Sequence, residues 1–256
     1  MNNVNLEKLQ KLDFRLNEAY KILRTNIEFC GDDIKTIVIT SCMANEGKSN
    51  VSLNLARSMA EAGKKVVFVD ADLRKSVIAG RYKASRAVNG LSNYLCGQCG
   101  IEDILYKTNV DNMSMIFSGP VPPNPAELIG NQYFQELLIQ IRNENDYVII
   151  DTPPLGSVID SAIAAKVCDG IIMVIAANEI SYKFAQKVKG QIDKTGCRIL
   201  GVVLNKVGAG SKGYYGKYYG RYYSKYYGKY YGDESDDLYE EELPEQGEGS
   251  QQQGET

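Results

Sequence analysis

The chain has 256 residues, 44% of them apolar, enough for one generous domain or a domain plus a tail, and its formal net charge is −3. It contains no histidine, which excludes imidazole-based nucleophilic catalysis, histidine-ligated zinc and the histidine-containing loop of eukaryote-type kinases, so any general base is a carboxylate, a lysine or solvent. Residues 212–256 hold 5 Lys/Arg and 10 Asp/Glu, and 11 of the 18 tyrosines lie at or beyond Tyr214, so both anomalies belong to one segment and the near-neutral body offers no electrostatic case for nucleic acid.

In chain order, residues 6–28 repeat apolar side chains at helical spacing (Leu6, Leu9, Leu12, Leu16, Ala19, Ile22, Leu23, Ile27), which predicts an amphipathic helix. From Lys35 the pattern changes to short apolar runs at 36–40, 66–69, 113–117, 147–150, 170–176 and 199–204. Most are apolar on consecutive residues, as in strands covered on both faces. Helical patterns at 49–62, 126–143, 161–167 and 182–195 lie between them. Strand–helix alternation of this kind predicts a doubly wound, mostly parallel α/β sheet. The expected division is an N-terminal helical segment over 1–34, a domain over 35–207 and a disordered tail over 208–256.

The six cysteines follow no secreted-domain spacing and read as reduced thiols of a cytoplasmic protein; Cys96-Gly-Gln-Cys99 is a lone pair, read as loop cysteines. No apolar stretch approaches the ~18 residues that cross a bilayer. Any membrane association is therefore expected through a partner.

The first strand runs into Cys42-Met43-Ala44-Asn45-Glu46-Gly47-Lys48-Ser49 and then a helix. This is the end of a phosphate-binding loop: a lysine for the β/γ-phosphates, a hydroxyl for Mg²⁺ and a helix N-terminus whose N–H groups face the anion. Cys42 stands at the first glycine position, and Asn45, the non-glycine residue most tolerant of positive φ, stands where a second glycine is common. Two apolar strands deliver Asp70 with Asp72, and Asp151, at their carboxyl ends, where ligands of open parallel sheets collect. Triphosphate with Mg²⁺ needs this set of groups.

On these residues the chain resembles the bacterial tyrosine kinases of the Gram-positive capsular and exopolysaccharide type. Val69-Asp70-Ala71-Asp72-Leu73-Arg74 is similar to their modified Walker A′ motif and Asp151-Thr-Pro-Pro to their Walker B form, while Glu18, Lys21 and Arg24 fall on their Glu-x-x-Arg-x-x-Arg oligomerisation motif, with lysine at the first basic position. The resemblance implies the MinD/ParA-like P-loop NTPase fold, a cytoplasmic autokinase using ATP and Mg²⁺, and assembly as a homo-oligomeric ring. It further implies recruitment to the inner face of the plasma membrane by a separate transmembrane chain-length regulator that activates it, and reversal by a cognate phosphotyrosine phosphatase. The alternative is a MinD/ParA-like ATPase switch without kinase activity. That class carries a signature lysine where this chain has Met43, and its members lack a tyrosine repeat.

Within that reading, Lys48 neutralises phosphate charge while Ser49, Asp72 and Asp151 arrange Mg²⁺, and Asp70 is the candidate base for the phenolic proton. Asn45, Glu46, Gly47, Ser49 and Asn50 line the nucleotide. Arg74 either supports phosphates and carboxylates or makes a surface ion pair; Asn205 either contacts adenine or caps the last strand. Residues 213–232 form a four-residue repeat presenting Tyr214, Tyr215, Tyr218, Tyr219, Tyr222, Tyr223, Tyr226, Tyr227, Tyr230 and Tyr231 as phosphoacceptors. Some 20 flexible residues span roughly 25 Å, which suits a neighbouring subunit's crevice and phosphorylation in trans.

Overall fold

The computed structural model describes residues 2–6, 9, 12–81 and 89–207. Its centre is the set of apolar runs. β2 (Thr36–Ser41), β3 (Val66–Asp70), β6 (Tyr147–Asp151) and β7 (Gly170–Ala176) are parallel and almost wholly buried, flanked by β5 (Met113–Ile116) and β8 (Arg198–Asn205). Two short strands not expected from the sequence, β1 (Asn2–Asn3) and β4 (Leu105–Lys107), complete an eight-stranded sheet in the order β1-β4-β5-β3-β6-β2-β7-β8, antiparallel only between β4 and β5.

Consecutive apolar residues are needed because alternate side chains enter two different cores. Ile37, Ile39, Phe68 and Ile149 pack against α1 (Phe14–Glu28) and α2 (Lys48–Glu61), through Ile27, Leu53 and Met59. Val38, Val67 and Ile150 face the other way, toward α7 (Gln132–Glu144), α8 (Asp160–Ala165) and α9 (Tyr182–Asp193), through Leu137, Ala164 and Ile192. Helices on both faces make the sheet doubly wound. The strand that opens the phosphate loop, β2, lies between β6 and β7, so the winding changes direction beside it and a crevice opens at its carboxyl end.

The N-terminal helix is shorter than its periodicity suggested. It begins at Phe14, because the Asp13 carboxylate accepts the Leu16 N–H at 2.8 Å and caps it there. Upstream, Val4 and Leu6 are buried on the α1/α2 side of the sheet and Val4 N–H donates to the Lys107 carbonyl at 2.8 Å. Leu6, Leu9 and Leu12 are thus outside the helix. The pattern at 126–143 is two helices, α6 (Pro125–Ile129) and α7, because Asn131 caps α7 through a 3.0 Å bond from Phe134 N–H. Among the described residues between β3 and β4, three one-turn helices, α3 (Ile78–Arg81), α4 (Leu91–Leu95) and α5 (Ile101–Ile104), carried no periodic signal. The boundary expected at residue 34 joins segments that share a core, since Leu6, Ile27 and Ile34 pack in one cluster with Ile37 and Phe68. The expected tail, with its ten phosphoacceptor tyrosines, lies outside the described residues.

Candidate active site

The loop after β2 is shaped by two left-handed residues, Asn45 (φ 68°) and Gly47 (φ 86°), as the asparagine substitution anticipates. Gly47 is needed twice. Beyond its φ, a Cβ there would lie 2.1 Å from Asn205 Nδ2. α2 starts at the next residue, Lys48, so its N-terminus and positive dipole end open on the crevice. Cys42, at the position of the missing glycine, is fully buried. Its thiol is pushed up to about 11, by burial first and then by the charge of Glu46, which makes it an inert packing group.

Two carboxylates, Asp72 and Asp151, meet Lys48, and a third, Asp70, faces Asp151. Asp70 and Asp151 lie opposite each other on adjacent strands, β3 and β6, and both are 0% exposed. Lys48 Nζ lies 3.2 Å from Asp151 Oδ1 and 3.9 Å from Asp72 Oδ2, and donates to Ser49 Oγ at 3.1 Å. Asp72 turns its other oxygen back to accept from the Arg74 and Lys75 N–H groups at 3.3 and 2.9 Å. Asp70 accepts from the Ser76 hydroxyl. One oxygen on each buried carboxylate, Asp70 Oδ1 and Asp151 Oδ2, has no hydrogen-bond partner among the described residues.

That arrangement is costly, because a buried carboxylate with one oxygen lacking a donor favours its neutral form. Asp70 is pushed up to about 7, chiefly by burial and then by the neighbouring Asp151 charge, against the pull of Ser76 and Lys48. Asp151 is also raised by burial, moderated by Lys48 and the Ser49 and Ser52 hydroxyls. A divalent cation or a proton would satisfy the orphaned oxygens. Two facing carboxylates, a hydroxyl, a lysine and a helix N-terminus are hard-oxygen and anion-binding groups that fit a nucleotide phosphate with its metal.

Several expected site residues are placed differently. Arg74 makes a bidentate pair with the buried Asp160, Nε to Oδ2 at 2.8 Å and a terminal nitrogen to Oδ1 at 3.0 Å, so it braces the segment after β3 against α8. Glu46 is buried and, among the described residues, its carboxylate accepts from the backbone N–H groups of Met43 and Ala176. Asn205 donates through Nδ2 to the Glu46 carbonyl at 2.8 Å. The Asn50 side-chain oxygen accepts from Arg81 at 3.4 Å. On α1, Glu18 and Lys21 pair at 2.6 Å on the exposed surface, whereas Arg24 donates to the Ser58 carbonyl on α2 at 2.7 Å. Ser76 and Asp160 were missed by sequence reasoning. Asp160 at the start of α8 had a visible signal as an acidic residue opening a helix; Ser76 had none.

The AAA domain family matches residues 34–198. The chain is 43% identical over 223 residues to the tyrosine-protein kinase CpsD of Streptococcus agalactiae, covering 83% of this chain and 97% of that one. Among solved structures it is similar to the chimerical protein CapA2B2, with a TM-score of 0.73 and 31% identity over 81% of this chain and 94% of that one. It is also similar to the septum site-determining protein MinD of Pyrococcus horikoshii in complex with Mg-ADP, with a TM-score of 0.60 and 25% identity over 70% of this chain and 72% of that one. At the position of the MinD/ParA signature lysine, Met43 is half exposed.

Proposed function

The chain belongs to the bacterial tyrosine kinases, and from that premise we propose that it moves the γ-phosphoryl group of ATP onto the tyrosines between Tyr214 and Tyr231 of a neighbouring copy, as a regulator of capsular or exopolysaccharide assembly. The observation that carries this reading is the pair of buried, half-unpartnered carboxylates at adjacent strand ends, Asp70 and Asp151, with Lys48 Nζ 3.2 Å from Asp151.

Lys48 and the N-terminus of α2 hold the β- and γ-phosphates. Ser49, Asp72 and Asp151 are the residues to hold Mg²⁺, which when bound neutralises charge on the phosphoryl oxygens. Among the described residues no group of three or more His, Cys, Asp or Glu forms a ready metal cage, and Mg²⁺ usually takes one or two carboxylates and completes its shell with phosphate and water. Asp70, with a pKa of about 7, suits a base working near neutral pH. It takes the phenolic proton as the tyrosine oxygen bonds to the γ-phosphorus and the bond to the β-phosphate oxygen breaks, releasing ADP. The Asn205 amide nitrogen is held by the Glu46 carbonyl, leaving its oxygen as an acceptor for the exocyclic amino group of adenine. Arg74 acts at one remove, by fixing the segment that carries Asp72.

The last strand, β8, ends at Asn205 on the same side of the sheet as the crevice, which supports delivery of the tyrosines that follow it in sequence to a neighbouring copy's site. Lys21 is exposed and Glu18 partly so, which leaves them for contact between copies; the activator is a transmembrane chain-length regulator and the opposing enzyme a phosphotyrosine phosphatase. No described helix is long and apolar enough to cross a membrane.

Incubation with Mg-ATP and the cytoplasmic peptide of such an activator, followed by phosphotyrosine detection, tests the reading. Signal that disappears in Lys48→Met supports it. Phosphate release without phosphotyrosine favours the MinD/ParA-like ATPase.

A further inference from the structure

Glu46 is only 1% exposed, yet it sits in the loop that receives a polyanion and carries a charge of the same sign. Its two carboxylate oxygens meet backbone donors from different parts of the sheet. Oε2 accepts from Met43 N–H, within the loop, at 2.7 Å, and Oε1 accepts from Ala176 N–H, the last residue of β7, at 3.1 Å. The backbone of the same residue is held from the end of β8, where Asn205 Nδ2 donates to its carbonyl at 2.8 Å. Left-handed residues flank it on both sides, Asn45 and Gly47.

We propose that Glu46 is a positioning residue of the nucleotide site, whose carboxylate holds the phosphate loop in its binding shape before nucleotide arrives and couples it to the end of β7 without touching the ligand. The inference rests on the nucleotide reading above. The chemistry requires a carboxylate of this length. Both partners are N–H donors, so a carboxylate offers an acceptor to each, whereas glutamine turns its NH₂ group toward one of them, donor against donor. Aspartate is one methylene short of reaching both. A loop that has lost its leading glycine to Cys42 gains from this internal tie a fixed curvature that backbone freedom alone does not provide, and binding to a pre-shaped loop avoids the ordering cost.

The test compares the full chain with Glu46→Gln, measuring the Mg-ATP dissociation constant, KM and kcat with activator present, and the nucleotide-free melting temperature. The expected result is a roughly tenfold weaker affinity, the size of one buried hydrogen bond left unmade, with the loss falling mainly on KM. A folded variant with parental affinity and KM overturns the inference even if it melts earlier, because a merely structural role lowers the melting temperature alone. A parent chain that binds no Mg-ATP overturns the nucleotide reading and this inference with it; a binding parent and an unaffected variant overturn this inference only. If Glu46→Gln does not fold, hydrogen exchange on the nucleotide-free parent decides. Slow exchange at the Met43 and Ala176 amides supports the tie, and fast exchange at Met43 overturns it.

Discussion

The central strands carry a carboxylate hub at each end, and the two are built in opposite ways. At the amino ends, Asp169 accepts from Lys35 N–H at 3.0 Å, Thr36 N–H at 2.8 Å, the Thr36 hydroxyl at 2.9 Å and Arg142 Nε at 3.1 Å. Burial pushes its carboxyl up, but these bonds from Thr36, Arg142 and Lys35 outweigh it and hold Asp169 below the usual carboxylate range. At the carboxyl ends, Asp70 and Asp151 are more deeply buried, each keeps an oxygen without a donor, and both are raised. The first hub is complete once the chain has folded. The second is complete only when something else arrives, and that difference separates a carboxylate that stabilises from one that is held ready.

The largest expected effect breaks the comparison at the active end. Lys48→Met removes the group that meets Asp72, Asp151 and the phosphates, and phosphotyrosine formation falls on the order of 100-fold or more, as for loss of a preorganised charge at a transferring group. At the structural end, Asp169→Ala strands Arg142 and three backbone or hydroxyl donors. The carboxylate is a quarter exposed, so after discounting for solvent the expected loss is about 2 kcal/mol, read as a lower denaturation midpoint with Mg-ATP affinity retained.

The third prediction concerns pH. The folded pKa of Asp70, about 7, lies above the ordinary value of 3.8, so the folded state holds its proton longer than the unfolded chain does. Its contribution to stability is full below about pH 4, declines as pH rises and is lost above about 7. Asp70→Asn removes that slope, and the nucleotide-free variant is expected to melt several degrees above the parent at pH 8, with the gap narrowing at pH 5 and closing toward about pH 4. Equal melting at both pH values would show that the buried carboxylates carry no such strain. The smallest effect is at Arg74→Lys, where the fork on Asp160 becomes a single contact; with Arg74 39% exposed, about 1 kcal/mol or less is expected in thermal unfolding.

Much of the sheet was legible because two covered faces demand consecutive apolar residues. All six expected strands are present within a residue at either end. The short edge strands β1 and β4 were not legible, since two or three residues carry no period and their pairing joins segments about a hundred positions apart. The N-terminal helix was overextended because leucines at 6, 9 and 12 continue a helical spacing that Asp13 interrupts with its cap.

The residue types of the crevice were likewise readable: a lysine after glycine, and aspartates ending apolar runs. By themselves they determined the fold class, the kind of ligand and the family resemblance, because strand direction in a parallel sheet carries every strand's end to the same side. Tertiary structure alone decided which groups are free to act. Arg74 is committed to Asp160, Glu46 to two amides and Asn205 to the phosphate loop, while Asp70 and Asp151 each keep an unpartnered oxygen. A motif gives the identity of a side chain, but hydrogen-bond satisfaction depends on donors that approach from strands far away in the chain.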